Sequence, residues 1–169
     1  MAFAVDIVVE EGMEVSCGPD RAFEILSDVP WSVSHFPNLD ALYDMGGDKY
    51  RWEMKKIGLQ SYSIQTIYAS KYTSNEDKGT IKWTAVKGVG NGQVSGSWKL
   101  TELEDGTTWI DLKTKGTLEL PLPRLAKMVV APFVKNEFEN YIETYLENLA
   151  KTMNGKKKRP KTIKILKKD

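Results

Sequence analysis

PLPRLAKMVVAPFVKNEFENYIETYLENLAKTM, residues 121–153, is the stretch that decides the architecture. Apolar residues recur in it at Val130, Val134, Phe138, Tyr141, Ile142, Tyr145, Leu149 and Met153. Spacings of three and four put them on one helical face, while Glu137, Glu139, Glu143, Glu147 and Lys151 fall mostly on the other. A helix of roughly thirty residues would be about 45 Å long. Such an element needs a wide apolar surface to lie across, and the chain ahead of it supplies one.

From Val5 to Cys17 the odd positions are mostly apolar (Val5, Ile7, Val9, Met13, Val15) and the even ones carry Asp6, Glu10, Glu14 and Ser16, which is a strand with one buried face. Gly18-Pro19-Asp20 breaks it, and Pro19 suits the first turn of a helix. Ala22, Phe23, Ile25 and Leu26 predict a short helix ending near Asp28. Pro30 and Pro37 limit a second helix to a turn or two, with Leu39 and Leu42 expected to close that unit over the core. Met45-Gly46-Gly47-Asp48 reads as a turn, and alternation then resumes.

Inward parities are Tyr50, Trp52 and Met54; then Tyr62, Ile64, Thr66 and Tyr68, with a slip toward Ile67 and Ala69 that reads as a bulge. Ile81, Trp83 and Ala85 follow, then Val94, Gly96, Trp98 and Leu100, and last Ile110 to Leu120. Strands joined by short turns are expected to be antiparallel neighbours. The pattern predicts an α+β arrangement. A curved antiparallel sheet of about six strands wraps around a long C-terminal helix, with two short helices after the first strand. Gly96 and Gly116, on inward parities, would permit sharp bending.

A chain of 169 residues, 41% hydrophobic and 28% charged, fits one soluble domain. One cysteine excludes an internal disulfide, no apolar run approaches a membrane span, and Asp6, Glu10 and Glu11 interrupt any signal-peptide pattern; a cytoplasmic setting is expected. The net charge of +1 hides an asymmetry. Eight of the 24 basic residues and one of the 23 acidic ones lie in 156–169, which leaves residues 1–155 at a net −6. The chain therefore divides into a domain, 1–155, and a basic tail, 156–169. The tail is read as a solvated arm, with Lys156–Lys168 a candidate contact for anionic membrane. Nucleic acid is not the expected partner. The alternation Thr162-Ile163-Lys164-Ile165 also allows a short added strand.

The opening strand running into Gly18-Pro19-Asp20-Arg21-Ala22-Phe23-Glu24-Ile25-Leu26-Ser27-Asp28, followed by Trp31 and Phe36-Pro37, resembles the START-like (SRPBCC) superfamily. This helix-grip fold is shared by the birch-pollen allergen, polyketide cyclases and coenzyme Q-binding proteins. The resemblance spans about residues 3–153, and it departs from the common pattern where Pro30 precedes the tryptophan. It implies a cavity between the concave sheet and the long helix, open to a lipid, an isoprenoid quinone or a polycyclic compound. The residues expected around it are His35, Phe36, Trp52, Met54, Tyr62, Ile64, Trp83, Trp98, Leu112, Thr114, Phe133, Val134, Phe138 and Tyr141. Large rings also simply fill cores, and the superfamily hosts carriers, cyclases and regulators on one scaffold. Three readings stay open: a hydrophobic-ligand carrier, a polyketide cyclase/dehydratase-type enzyme, and a protein-interaction module.

Candidate chemistry is sparse. His35 is the sole histidine, and Thr66 and Thr114 are the main inward polar residues, so an enzyme would depend on these three. No catalytic set is assigned. One histidine and one cysteine cannot form a typical zinc site, and no cofactor is implied. Gly88-Val89-Gly90-Asn91-Gly92 lacks the Lys-Ser/Thr of a phosphate loop and leads into a strand. Cys17 has only Arg21 as a basic neighbour. Pro132 removes a helix hydrogen bond, which makes Leu125–Ala131 a candidate for a segment that swings to admit ligand.

Overall fold

Period-two burial along the first strand, β1 (Phe3–Val15), is present in the computed structural model, which describes residues 2–168. Pro19 then opens α1 (Pro19–Ser27), whose Ala22, Phe23, Ile25 and Leu26 are buried. Asp28 caps α2 (Val29–Val33) by accepting from the Trp31 amide at 3.2 Å. Next come β2 (Leu39–Gly46), β3 (Lys49–Met54), the short pair β4 (Ile57–Leu59) and β5 (Tyr62–Ile64), and β6 (Ile67–Asn75). The series continues with β7 (Thr80–Ala85), β8 (Gly92–Glu102) and β9 (Thr108–Leu120). A 3-10 turn at Arg124–Ala126 leads into α3 (Lys127–Asn154), and β10 (Leu166–Lys168) ends the described chain.

The main sheet has eight strands in the order β1-β9-β8-β7-β6-β3-β2-β10. All its pairs are antiparallel except β10 with β2. The helix-grip architecture expected from the sequence is the architecture observed, with more strands than expected. Leu39 and Leu42 do not merely cap the helical unit; they lie in β2, where a register shift between Leu39 and Ala41 leaves Leu39, Ala41 and Leu42 all buried. That bulge erases the alternation that would announce a strand. The expected bulged strand through Tyr62 and Tyr68 is instead two strands. β5 pairs only with β4, and β6 begins afresh at Ile67.

The glycine run before β8 explains itself at that break. Gly90 sits at φ +64°, and a Cβ there would lie 2.1 Å from the Ile67 carbonyl oxygen. This close approach lets Asn91 accept from the Ile67 amide at 2.9 Å and donate to the Gln65 carbonyl at 2.9 Å. Gly96 makes room for a side chain: a Cβ would meet the Trp83 ring at 2.6 Å.

Across the sheet lies α3, 28 residues long and so about 42 Å. It buries Val130, Val134, Ile142, Tyr145, Leu146, Leu149, Thr152 and Met153, while Phe138 and Tyr141 are half-buried. Its C-terminal end is clasped by Arg21, whose guanidinium donates to Thr152 O in the last turn at 2.8 Å and, just beyond the helix, to Gly155 O at 3.2 Å and Lys157 O at 2.9 Å. A cation at a helix C-terminus also complements the helix dipole. Among the described residues no helix is long and apolar enough to cross a membrane.

The basic tail is ordered against the domain rather than solvated along its length. Arg159 pairs with Asp28, and Ile163 is buried in the core between α1, α3 and the sheet. The Ile165 carbonyl accepts from the Leu42 amide at 2.8 Å, which guides the chain into β10. The segment 162–165, allowed for as a short strand, is not one; the strand begins just after it, at Leu166–Lys168. Truncation of a buried isoleucine typically costs about 2–4 kcal/mol. Ile163→Ala should lower unfolding free energy by that amount in denaturant titration, whereas a tail free in solution would give no change.

Candidate ligand cavity

Two adjoining lobes lie between the sheet and α3. The first, about 50 Å³, is bounded by the α1–α2 unit, α3 and strands β3, β6, β7, β8 and β9. The second, about 60 Å³, extends toward β1 and the middle of α3. Phe36, Tyr68, Val94, Thr114 and Ile142 border both and form the partition.

The first lobe is ringed by a closed belt of six aromatic side chains. Phe36 packs on Trp52 at 5.2 Å between ring centroids and on Tyr145 at 5.1 Å. Tyr145 meets Trp98 at 5.9 Å, Trp98 meets Trp83 at 6.1 Å, and Trp83 meets Tyr72 at 5.9 Å. Trp52 closes the circuit by donating its indole N–H to the Tyr72 hydroxyl at 3.2 Å. Edge and tilted contacts of this kind fix ring orientation beyond simple area burial. Tyr68, which borders both lobes, stacks on Trp52 at 5.3 Å.

The polar atoms inside are hydroxyls. Ser32 Oγ and the Tyr145 hydroxyl share a hydrogen bond of 2.6 Å. Because Tyr72 accepts from Trp52, its own proton is left to donate elsewhere. Burial pushes the hydroxyl pKa values of Tyr68, Tyr72 and Tyr145 far above the ordinary value. These groups stay protonated at physiological pH. They can donate to a carbonyl; they cannot act as bases.

Of the residues expected around the cavity, Phe36, Trp52, Trp83, Trp98, Leu112 and Thr114 line the first lobe. Phe138 lines the second, where Thr66 also lies. Met54 is buried beside Trp52 and Tyr68 without reaching either lobe. Ile64 and Val134 pack in a separate cluster under the start of α3, with Tyr62 and Phe133 half-buried against it. Tyr141 forms an outer layer on Phe36 and Phe138. Its hydroxyl accepts from Asn38 Nδ2 at 2.7 Å, and burial together with Glu137 pushes its pKa up to about 12. The parity reading missed Tyr72, two positions beyond Ser70 on the same face of β6 as Tyr68. Carrying the alternation past Ala69 would have found it. Ser32 gave no signal, since a serine in a five-residue helix has no period to read.

His35 does not face the cavity. Its Nδ1 lies 2.9 Å from Trp31 O and 3.0 Å from Ser32 O, both acceptors only, so Nδ1 carries the proton. Nε2 then accepts from the Thr152 hydroxyl at 2.7 Å, and the His35 carbonyl accepts from Asn148 at 2.9 Å. The residue fastens α2 to the end of α3. Burial, more than nearby Lys157, lowers its pKa against the raising effect of the two carbonyls. Burial likewise raises the Cys17 thiol above its ordinary value, outweighing the opposing Arg21. Among the described residues no cluster of three or more His, Cys, Asp or Glu could hold a metal ion.

The profile of the polyketide cyclase/dehydrase and lipid transport family matches residues 6–154. No functionally curated protein matches the chain in sequence. Among solved structures, the chain is similar to the Zhui aromatase/cyclase of Streptomyces sp. R1128 at 14% identity and TM-score 0.63, covering 86% of this chain and 92% of that one. It is also similar to a START superfamily protein of Mycobacterium smegmatis at 16% identity and TM-score 0.60, covering 86% and 96%. At such identities the likeness is one of fold.

The His35 geometry has a consequence for pH. A base whose folded pKa lies below its unfolded value binds fewer protons folded than unfolded, so its contribution is complete above the ordinary 6.5 and declines as pH falls below it. Thermal melts should show wild type losing stability between roughly pH 7.5 and 5.5, and His35→Gln losing less over the same interval. Parallel pH curves would refute that assignment.

Proposed function

Since the chain belongs to the polyketide cyclase/dehydrase and lipid transport family, we propose that it binds and carries an apolar small molecule in the cavity between sheet and α3: a lipid, an isoprenoid quinone or a polycyclic compound. The observation that carries this reading is the closed belt of six rings around the first lobe. Flat aromatic walls favour a ligand with extended apolar or conjugated surface, and burial of that surface supplies roughly 25 cal/mol per Å². Hydroxyls at Ser32, Tyr72 and Tyr145 offer a few directional hydrogen bonds to a carbonyl or quinone oxygen.

Lobes of about 50 and 60 Å³ are far below the ~300–1,000 Å³ of drug-sized ligand sites. Loading therefore requires the walls to part, and the partition residues Phe36 and Ile142 must move for one ligand to span both lobes. Titration of the purified full chain with oleate, a short-chain ubiquinone and a tetracyclic aromatic provides the test, alongside native mass spectrometry of co-purifying molecules. At least one compound should alter the emission of Trp52, Trp83 and Trp98 and raise the melting temperature. No bound molecule and no response to any of the three would defeat the reading.

A cyclase-type reaction is the second reading, favoured by the hydroxyls gathered in the first lobe and by the likeness to an aromatase/cyclase. Donors held neutral can fold a poly-β-ketone chain and stabilise an enolate as it forms. Tyr145→Phe would then abolish turnover of a poly-β-ketone thioester while leaving its binding intact. A carrier shows no turnover to lose.

Pro132 bears on exchange. It lies exposed in the second turn of α3, where its missing N–H leaves the Met128 carbonyl without its usual helical partner. The segment ahead of it packs with Ala126 and Val130 in the separate cluster rather than in the main core. Pro132→Ala should slow release of a bound fluorescent ligand in stopped flow; an unchanged rate would remove the proline from the exchange step.

A further inference from the structure

Leu125, Met128 and Val129 are 87%, 83% and 46% exposed, and they account for three of the five large exposed hydrophobics among the described residues. Their spacing of three and four puts them on one face where the 3-10 turn runs into α3, opposite the buried Ala126 and Val130. Solvent gains nothing from such a ridge, and the core does not need it.

The charge around the ridge is one-sided. Residues 121–136 contain Arg124, Lys127 and Lys135 and no carboxylate. The adjacent β4–β5 hairpin, packed on the same cluster as Ala126 and Val130, adds Lys55 and Lys56 within residues 54–64, again with no carboxylate. Neither Arg124 nor Lys127 has an ion-pair partner among the described residues. This cationic end stands on a body, residues 1–155, whose net charge is −6. A patch that is apolar at its crest and basic at its flanks, on an otherwise acidic domain, complements an anionic lipid surface.

We propose that this end of the molecule docks on anionic bilayers, with Leu125 and Met128 inserting among the acyl chains and Arg124 and Lys127 meeting lipid headgroups. On this proposal the basic tail is a separate surface from the docking element: it leaves the opposite end of α3, about 40 Å away, and is partly tied down by Ile163 and β10. The ridge adjoins the half of α3 that ends at Phe138, a wall of the second lobe. Docking and loading would thus share one end of the helix, but the docking itself is measured without cargo.

Vesicle co-sedimentation of the full chain decides it. Wild type should sediment with vesicles of equal phosphatidylcholine and phosphatidylserine, release at high salt, and ignore phosphatidylcholine alone. Leu125→Asn with Met128→Asn should weaken binding by about tenfold or more, and Arg124→Glu with Lys127→Glu should do likewise. Alanine at Lys156, Lys157 and Lys158 should leave most binding intact. As an independent readout, the emission of Met128→Trp should shift to the blue on adding the anionic vesicles. The proposal is overturned if wild type ignores both vesicles, if the double-asparagine variant binds as wild type does, or if the tryptophan fails to shift. It is equally overturned if the ridge proves to be a contact between two copies, seen as a dimer that the double-asparagine variant disperses while vesicle binding is absent.

Discussion

One curved apolar face has to be covered by one helix, and the rest of the structure answers to that constraint. The eight-stranded sheet cannot leave its concave side in water, and among the described residues α3 is the sole element long enough to span it. Its two ends are held by different forces. The C-terminal end is fixed by directional bonds: Arg21 on the last carbonyls, His35 on Thr152, and Asn154 accepting from Ser16 at 2.8 Å. Among the described residues the N-terminal end rests on apolar contact, through Ala126, Val130 and Val134. Apolar contact is non-directional and tolerates sliding. Stiffness at one end and compliance at the other follow from this division.

Most of the fold could be read because its strands obey period two and its helix obeys a spacing of three and four. What escaped the reading did so for physical reasons. The bulge at Leu39–Ala41 puts successive buried residues in β2 and hides a strand inside what resembles a helical cap. β10 is three residues long, too short for any period, and it pairs because Ile163 anchors the approach. The cavity was half legible. Residues on strands, such as Trp52, Trp83 and Trp98, follow from parity. His35 and Tyr141 do not, because their roles depend on which loop or helix edge faces them. His35 turns to Thr152 and Tyr141 to Asn38, and no local pattern encodes either partner.

The interior reconciles two demands that usually conflict. A core wants no voids, and a ligand cavity needs space. Here large rings meet mainly edge-on and leave small gaps between them. The glycine at position 96 contributes by ceding its side-chain volume to Trp83. The tyrosine hydroxyls are kept neutral by the same burial that closes the cavity, so the lining offers hydrogen bonds without introducing charge.

The pairing of β1 with β9 along thirteen positions, from Phe3 against Leu120 to Val15 against Thr108, has a consequence for how the chain is made. Synthesis delivers β1 before β9, so its hydrogen-bonding partner emerges roughly a hundred residues later. During that interval a strand with Phe3, Val5 and Val9 on one side has no neighbour to satisfy it. Closing so long a loop is entropically slow, and unpaired apolar strands are where nascent chains go astray. Acidic residues at positions 6, 10 and 14, on the outer face of the same strand, keep it repelled from copies of itself while it waits. The charges on the outer face of β1 thus serve the unfinished chain as much as the finished one.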